Sequence, residues 1–120
     1  MKHLIEFRSY QLHPGMRQTF AELMQHQSLA LLRKHGQQVL LAQASADGSD
    51  SYLLVRRYLN LNQRQLAQQA FYSSADWQEG PRNAILACIL TSTDCLVELD
   101  QTSLALCCQA WSASASQTDL

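Results

Sequence analysis

Two stretches of this sequence alternate as β-strands do, yet each carries large apolar side chains in both of its alternating sets. Near the N-terminus, Phe7 and Tyr10 belong to opposite sets, and midway along the chain the same holds for Val55 and Leu54. Successive side chains of a strand point to opposite faces of its sheet. A sheet covered by helices on one side usually presents a polar second face to water. We therefore predict that something other than its own helices covers the second face of this sheet.

Periodicity and turn residues place the remaining elements. A first strand over residues 4–12 should end at Pro14 and Gly15, and apolar residues spaced by three and four predict a helix over residues 16–35 that ends at Gly36. The pattern after Gly36 predicts the following segments: strands at 39–44 and 52–58 joined by an Asp47-Gly48 turn, a helical region from 62 to 90, and a strand at 91–100. The order βαββαβ predicts an α+β, ferredoxin-like domain with a four-stranded antiparallel sheet.

The second helical region contains its own start and stop signals. Ser73 followed by Asp76 fits a helix start, in which the serine accepts from a free amide and the carboxylate lies near the positive helix end. Gly80 and Pro81 favour a break, with proline at the first position of a helix that restarts near Arg82. We expect this region to be redirected over the sheet at these residues.

Composition restricts the class of protein. The chain has 120 residues, of which 47% are hydrophobic, and a net charge of -1, which suits one domain over residues 1–100. Adjacent basic pairs occur only at 33–34 and 56–57, too few to predict nucleic-acid binding. The apolar run 29–32 is far shorter than the roughly 20 residues of a membrane span. The first six residues lack the apolar core of a secretory signal, so we expect a cytoplasmic protein.

The four cysteines and four histidines do not form a metal-binding pattern. No Cys-x-x-Cys occurs, Cys107 and Cys108 are adjacent, and His26 and His35 fall on roughly opposite sides of a helix. We predict neither a metal site nor a cofactor, and cysteines that serve as small hydrophobic residues in a reducing compartment. Haem would find no histidine ligand after His35, although a tyrosine ligand stays open.

Two segments of the chain carry a more specific pattern. They read Ile5-Glu6-Phe7-Arg8-Ser9-Tyr10-x-Leu12-x-Pro14-Gly15 and Phe71-Tyr72-Ser73-Ser74-x-x-Trp77-x-x-Gly80-Pro81-Arg82. The first resembles the opening strand and turn of the NIPSNAP family, and the second resembles its second-helix signature; the resemblance extends over residues 3–100. It implies a ferredoxin-like subunit that pairs into a dimeric α/β barrel and has a poorly settled biochemical role. It supplies no catalytic residues.

The wider group of dimeric barrels resembles cofactor-independent monooxygenases, isomerases and haem-degrading enzymes, which use a pocket between sheet and helices. Arginine and aromatic side chains are available for such a pocket here, with Glu6 and Asp94 as carboxylates: Arg8, Tyr10, Tyr52, Arg56, Tyr58, Tyr72, Trp77 and Arg82. Such a set can hold a flat anionic ligand by stacking and bidentate hydrogen bonds. It equally suits a structural core in which the arginines pair with Glu6 or Asp94, the interpretation that we prefer.

Two functions stay open at this point. One is a dimeric interaction domain, or a domain that binds a small hydrophobic or anionic ligand, and the other is a cofactor-independent monooxygenase or isomerase on the same barrel. A second copy of the sheet is the simplest cover for the open sheet face and predicts a homodimer. The alternative is a monomer whose partly apolar face is solvated.

The composition changes at Gln101. Residues 104–111 form an apolar island that we expect either to dock as an arm on the domain or its partner, or to be an incidental tail. Residues 112–120, rich in serine and alanine, are expected to be flexible.

Overall fold

Four antiparallel strands form one sheet in a computed structural model that describes residues 2–107 and Gln109. The strands are β1 Lys2–Leu12, β2 Gln38–Ala44, β3 Ser51–Tyr58 and β4 Ile89–Asp100. They lie in the order β2-β3-β1-β4, so the first strand of the chain is central and the last forms an edge. This is the ferredoxin-like α+β arrangement predicted from the order of elements, and the four-stranded sheet is not closed on itself.

Helices make both connections across the sheet. The first comprises α1 Arg17–Leu23, a π-helical turn Met24–Ser28 and α2 Leu29–Lys34, and the second comprises α3 Leu61–Tyr72, α4 Ala75–Gln78 and α5 Arg82–Cys88. Gly36 follows α2 with a φ of 78°, which confirms the predicted left-handed stop. Of the helices described, none has both the length and the apolar character needed to cross a bilayer.

The π-helical turn is the one departure from the uninterrupted first helix that we predicted. The buried residues of this region are Phe20, Met24, Ser28 and Leu32, spaced four apart. At 3.6 residues per turn, each step of four rotates a side chain about 40° further round the helix. A wider π turn in the middle offsets part of that drift, so all four side chains face the sheet.

Both faces of the sheet bury apolar side chains. The helix-covered face packs Tyr10, Phe20, Leu54 and Phe71 into the larger core. On the open face, Ile5 and Val55 are buried together with Leu104, which belongs to a helical segment at residues 101–107. Part of the expected arm therefore lies on the domain itself, whereas Trp111 and the segment 112–120 lie outside the described residues.

The start of α4 differs from the prediction by one residue. Ser74, not Ser73, is the N-cap: its Oγ accepts from the Trp77 amide at 3.3 Å, and its backbone is extended (φ -68°, ψ 149°). Ser73 is instead the C-cap of α3, and its hydroxyl donates to the carbonyl of Gln69 at 2.7 Å. Pro81 is likewise the residue before α5 rather than its first member. The sequence offers two adjacent serines, and only the backbone geometry distinguishes them.

Replacing each serine in turn tests this assignment. Ser74→Ala should lower the free energy of unfolding by about 1 kcal/mol, because the Trp77 amide loses its acceptor. Ser73→Ala should change it by less than about 0.5 kcal/mol, because that side chain is exposed and the Gln69 carbonyl to which it donates also accepts from the Ser73 amide. Urea unfolding followed by circular dichroism measures both, and an equal or larger loss in Ser73→Ala would show that the cap is wrongly placed.

Candidate functional site

A fully buried ion pair lies on the helix-covered face of the sheet. Glu6 of β1 and Arg56 of β3 are cross-strand partners, and each is 0% exposed. Arg56 donates from Nη2 and Nε to Glu6 Oε1, at 2.6 and 2.8 Å. Removing two charges from water costs several kcal/mol for each ion, so such a pair requires further hydrogen bonds on its remaining oxygen.

Helix α3 supplies those hydrogen bonds. Its Arg64 Nε and Gln68 Nε2 both donate to Glu6 Oε2, each at 2.6 Å. One turn further along, the Tyr72 hydroxyl accepts from Arg56 Nη1 at 3.2 Å. Positions 64, 68 and 72 are spaced by four and lie on one face of α3. This face therefore fixes the helix to the buried carboxylate.

Asp94 of edge strand β4 completes the group, which we call the arginine–carboxylate cluster (Glu6, Arg8, Arg56, Arg64 and Asp94). Arg8 donates to both Asp94 oxygens, at 2.7 and 3.1 Å, and Arg64 Nη2 donates to Oδ2 at 3.2 Å. Arg8 also donates to the Tyr72 hydroxyl at 3.1 Å. With three arginines and two carboxylates, the cluster carries one formal positive charge.

The cluster holds its own groups in their charged forms. Burial alone would raise the pKa of Glu6, but the charges of Arg56 and Arg8 and the hydrogen bond from Gln68 outweigh it, so the pKa lies below 4.5. The hydrogen bond from Arg8 lowers the pKa of Asp94. Burial raises the pKa of Tyr10 to about 12. At neutral pH both carboxylates are therefore ionised and the Tyr10 phenol is protonated.

An open cleft of about 360 Å³ lies beside the cluster, between the sheet and helices α4 and α5. It is lined by Arg8, Tyr10, Tyr72, Trp77, Gln78, Arg82, Ile85, Leu86, Ile89 and Ser92. The rings of Tyr72 and Trp77 meet edge-on with centroids 5.5 Å apart. Arg82 Nη1 donates to Asn83 Oδ1 at 3.1 Å, and no described carboxylate forms an ion pair with Arg82.

The structure brings five of the eight residues considered for the pocket to this cleft, namely Arg8, Tyr10, Tyr72, Trp77 and Arg82. The other three lie elsewhere. Tyr52 packs edge-on against Phe20, with ring centroids 5.0 Å apart, and Arg56 lies in the buried ion pair. The predicted pairing of arginines with Glu6 and Asp94 is present, and Tyr58 bonds Gln37 and Gln68 in the core.

Sequence reasoning missed Arg64 and Gln68. Their signal was the four-residue spacing with Tyr72, which places the three polar side chains on one face of α3; the structure shows that this face is turned towards the sheet. In the part of the chain that the structure describes, no three His, Cys, Asp or Glu side chains come together as metal ligands.

Comparison with known proteins gives a consistent family and fold. The family model NIPSNAP matches residues 5–91, which confirms the resemblance found in the two motifs. A NIPSNAP family protein from Agrobacterium tumefaciens is similar in structure, with a TM-score of 0.75, 15% identity, and 82% of this chain and 87% of that chain covered. An uncharacterized NIPSNAP-like domain protein from Burkholderia xenovorans has a TM-score of 0.75 and 18% identity, with 82% and 86% covered.

A candidate antibiotic biosynthesis monooxygenase from Nitrosomonas europaea shares the fold at a TM-score of 0.60 and 12% identity, with 79% of this chain and 88% of that chain covered. The sequence comparison with curated proteins found no match.

The cluster predicts a large and specific loss of stability on neutralising Glu6. Glu6→Gln leaves the buried Arg56 charge uncompensated and should lower the free energy of unfolding by about 3–5 kcal/mol at pH 7. Because folding lowers the pKa of Glu6 below 4.5, the stabilisation by this carboxylate is complete above that pH and is lost as pH falls through the folded pKa. Urea unfolding at several pH values measures this effect. The difference in free energy of unfolding between the wild type and Glu6→Gln should become smaller as the pH is lowered.

Glu98→Gln is the matched control, since Glu98 pairs with Lys2 at 3.9 Å on the surface, where the two side chains are 62% and 69% exposed. This change should have a negligible effect on the free energy of unfolding at every pH. Equal losses in the two variants would contradict a stabilising role for the buried pair.

Proposed function

The chain belongs to the NIPSNAP family, and from the cleft that its fold carries we propose that it binds a small organic anion with a flat apolar body. The observation that carries this proposal is Arg82, a guanidinium without a described carboxylate partner, in a cleft shared with Tyr72 and Trp77. A guanidinium binds a carboxylate through two parallel hydrogen bonds, and aromatic rings supply apolar surface with defined geometry. The positive cluster next to the cleft adds a favourable field for an anion.

Binding is better supported than acid–base catalysis. Glu6 and Asp94 accept hydrogen bonds from the arginines on all of their carboxylate oxygens. Their lowered pKa values make them weak proton acceptors at neutral pH, and Tyr10 stays protonated. The cleft thus offers hydrogen-bond donors and apolar surface to a ligand, which suits recognition of an anion.

Cofactor-independent oxygenation or isomerisation of the bound anion is the second candidate. It is favoured by the fold shared with the candidate monooxygenase from Nitrosomonas europaea, and the sheet–helix cleft is where such chemistry would take place. Oxygen uptake in the presence of a ligand that binds indicates oxygenation, and chromatographic detection of an isomer of that ligand indicates isomerisation; binding alone gives neither.

We propose also that two copies of the chain pair through the open sheet face. Leu104 covers Ile5 and Val55 at its centre, but Phe7 and Leu53 beside them are only half-buried. Covering these side chains with the same face of a second copy removes more apolar surface from water and gives a closed, isologous dimer.

Ligand binding is tested with benzoate, indole-3-acetate and their neutral amides. The wild type should bind the carboxylates more tightly than the amides, and Arg82→Ala should weaken carboxylate binding about tenfold, the equivalent of one charged hydrogen bond. Arg33→Ala, an exposed arginine outside the cleft, is the matched control and should bind as the wild type does. Isothermal titration calorimetry measures all three proteins. No binding by the panel at millimolar concentration, or equal losses in the two variants, contradicts the proposal.

Dimer formation is tested by sedimentation at micromolar concentration. The wild type should sediment at about twice its 13.5 kDa chain mass. Phe7→Lys should shift it to the monomer because a charge on the paired face must be desolvated. Leu66→Lys changes an exposed leucine of α3 and should leave the dimer intact. A monomeric wild type, or a dimer that persists in a folded Phe7→Lys variant, would exclude this interface.

A further inference from the structure

A small internal chamber adjoins the cleft. Its volume is about 20 Å³, and Met24, Ser28, Leu32, Leu54 and Phe71 line its inner part. Four further side chains line both the chamber and the cleft: Tyr10, Tyr72, Trp77 and Ile85. The two spaces therefore share a wall. The chamber lies further inside the protein than the cleft and borders the first helical region.

The chamber contains an unsatisfied polar atom. Ser28 is 2% exposed, and its Oγ has no hydrogen-bond partner. A buried hydroxyl left in this way destabilises the folded protein, because the hydrogen bonds that it makes to water when unfolded are not replaced. Serine in a helix often donates to the carbonyl four residues back, which Ser28 does not do here. Its other neighbours in the chamber, such as Met24, Leu32 and Phe71, are apolar.

The backbone that carries Ser28 is itself unusual. Ser28 is the last residue of the π-helical turn Met24–Ser28, and π-helical turns occur frequently at functional sites. The turn keeps Ser28 directed towards the sheet, where an unbroken α-helix would rotate it further away. The helix distortion and the unpartnered hydroxyl are two separate observations at the same place.

Size determines what the chamber can accept. Its volume suffices for about one water-sized group, whereas the cleft, at about 360 Å³, is in the range of small-ligand sites. An aromatic ring therefore fits the cleft but not the chamber, whose volume matches a single oxygen-bearing substituent.

We propose that Ser28 Oγ binds a hydroxyl or carbonyl oxygen at the end of the ligand remote from its anionic group. This inference rests on the proposed function and narrows the ligand class to flat organic anions with a polar group at each end. The anionic end pairs with Arg82 at the cleft, the ring packs among Tyr72 and Trp77, and the far oxygen satisfies the serine. Ser28 then selects among ligands, because an apolar substituent of similar size leaves its hydroxyl unpaired.

The test compares three probes of similar size: para-hydroxybenzoate, para-methylbenzoate and ortho-hydroxybenzoate. Isothermal titration calorimetry on the wild type should show para-hydroxybenzoate binding about fivefold to tenfold more tightly than para-methylbenzoate, as one net hydrogen bond allows. The ortho isomer, whose hydroxyl lies beside its carboxylate, should gain nothing from Ser28.

The Ser28→Ala variant should still bind para-methylbenzoate but should no longer bind para-hydroxybenzoate more tightly than para-methylbenzoate. It should also raise the urea midpoint of the ligand-free protein, because an unpaired buried hydroxyl has been removed. Ser73→Ala, in an exposed serine, is the control and should keep the preference.

The outcomes separate this inference from the proposed function. Suppose that the carboxylates bind and that Arg82→Ala weakens their binding. If the para-hydroxyl group then does not increase the affinity, or still increases it in Ser28→Ala, the role of Ser28 is refuted and anion binding stands. If none of these benzoates binds while indole-3-acetate does, only the role of Ser28 is refuted; if neither the benzoates nor indole-3-acetate binds, both proposals are refuted.

Discussion

The buried pair of Glu6 and Arg56 is the interaction on which most of this structure depends. Two charges removed from water are tolerated only when every oxygen of the carboxylate has a donor, and half of those donors come from α3. The pair therefore fixes more than the contact between β1 and β3. It fixes the position of α3 over the sheet, the Tyr72 hydroxyl at the end of that helix, and through Tyr72 the direction in which the chain continues into α4.

The cleft is a consequence of that placement. Because Tyr72 is held by Arg8 and Arg56, the short helices after it begin at a fixed point above the β1–β4 half of the sheet. The space left beside them is lined by the aromatic and arginine side chains of the second family motif. The fold is shared by NIPSNAP proteins and a candidate monooxygenase at low identity, so the fold alone does not determine a function, which depends on the side chains placed on it.

The order of strands and helices could be predicted from the sequence, because strand alternation, Gly36 and the Asp47-Gly48 turn are local signals that tertiary contacts did not override. The sequence was insufficient where a choice depended on three-dimensional neighbours. The two serines before α4 have the same side chain, so the sequence alone does not distinguish them as N-caps. The π turn offsets the rotation that builds up between buried residues spaced by four, and the sequence shows that spacing but not the turn. Arg64 was not predicted as part of the site, because its partner Glu6 lies 58 residues earlier in the sequence. Five of the candidate residues lie together because the motif that carries most of them folds into one wall of the cleft.

The central position of β1 has a consequence for how the chain folds. The first strand pairs with the last over its whole length, and Ile5 is finally covered by Leu104, about a hundred residues later. Contacts of such long sequence separation require large loops to close and slow the folding of a domain. During synthesis, β1 can acquire β3 and its helices early, but it retains an unpaired edge until β4 has left the ribosome. We expect the closing of the sheet by its C-terminal strand, rather than the formation of any helix, to be the last step in folding.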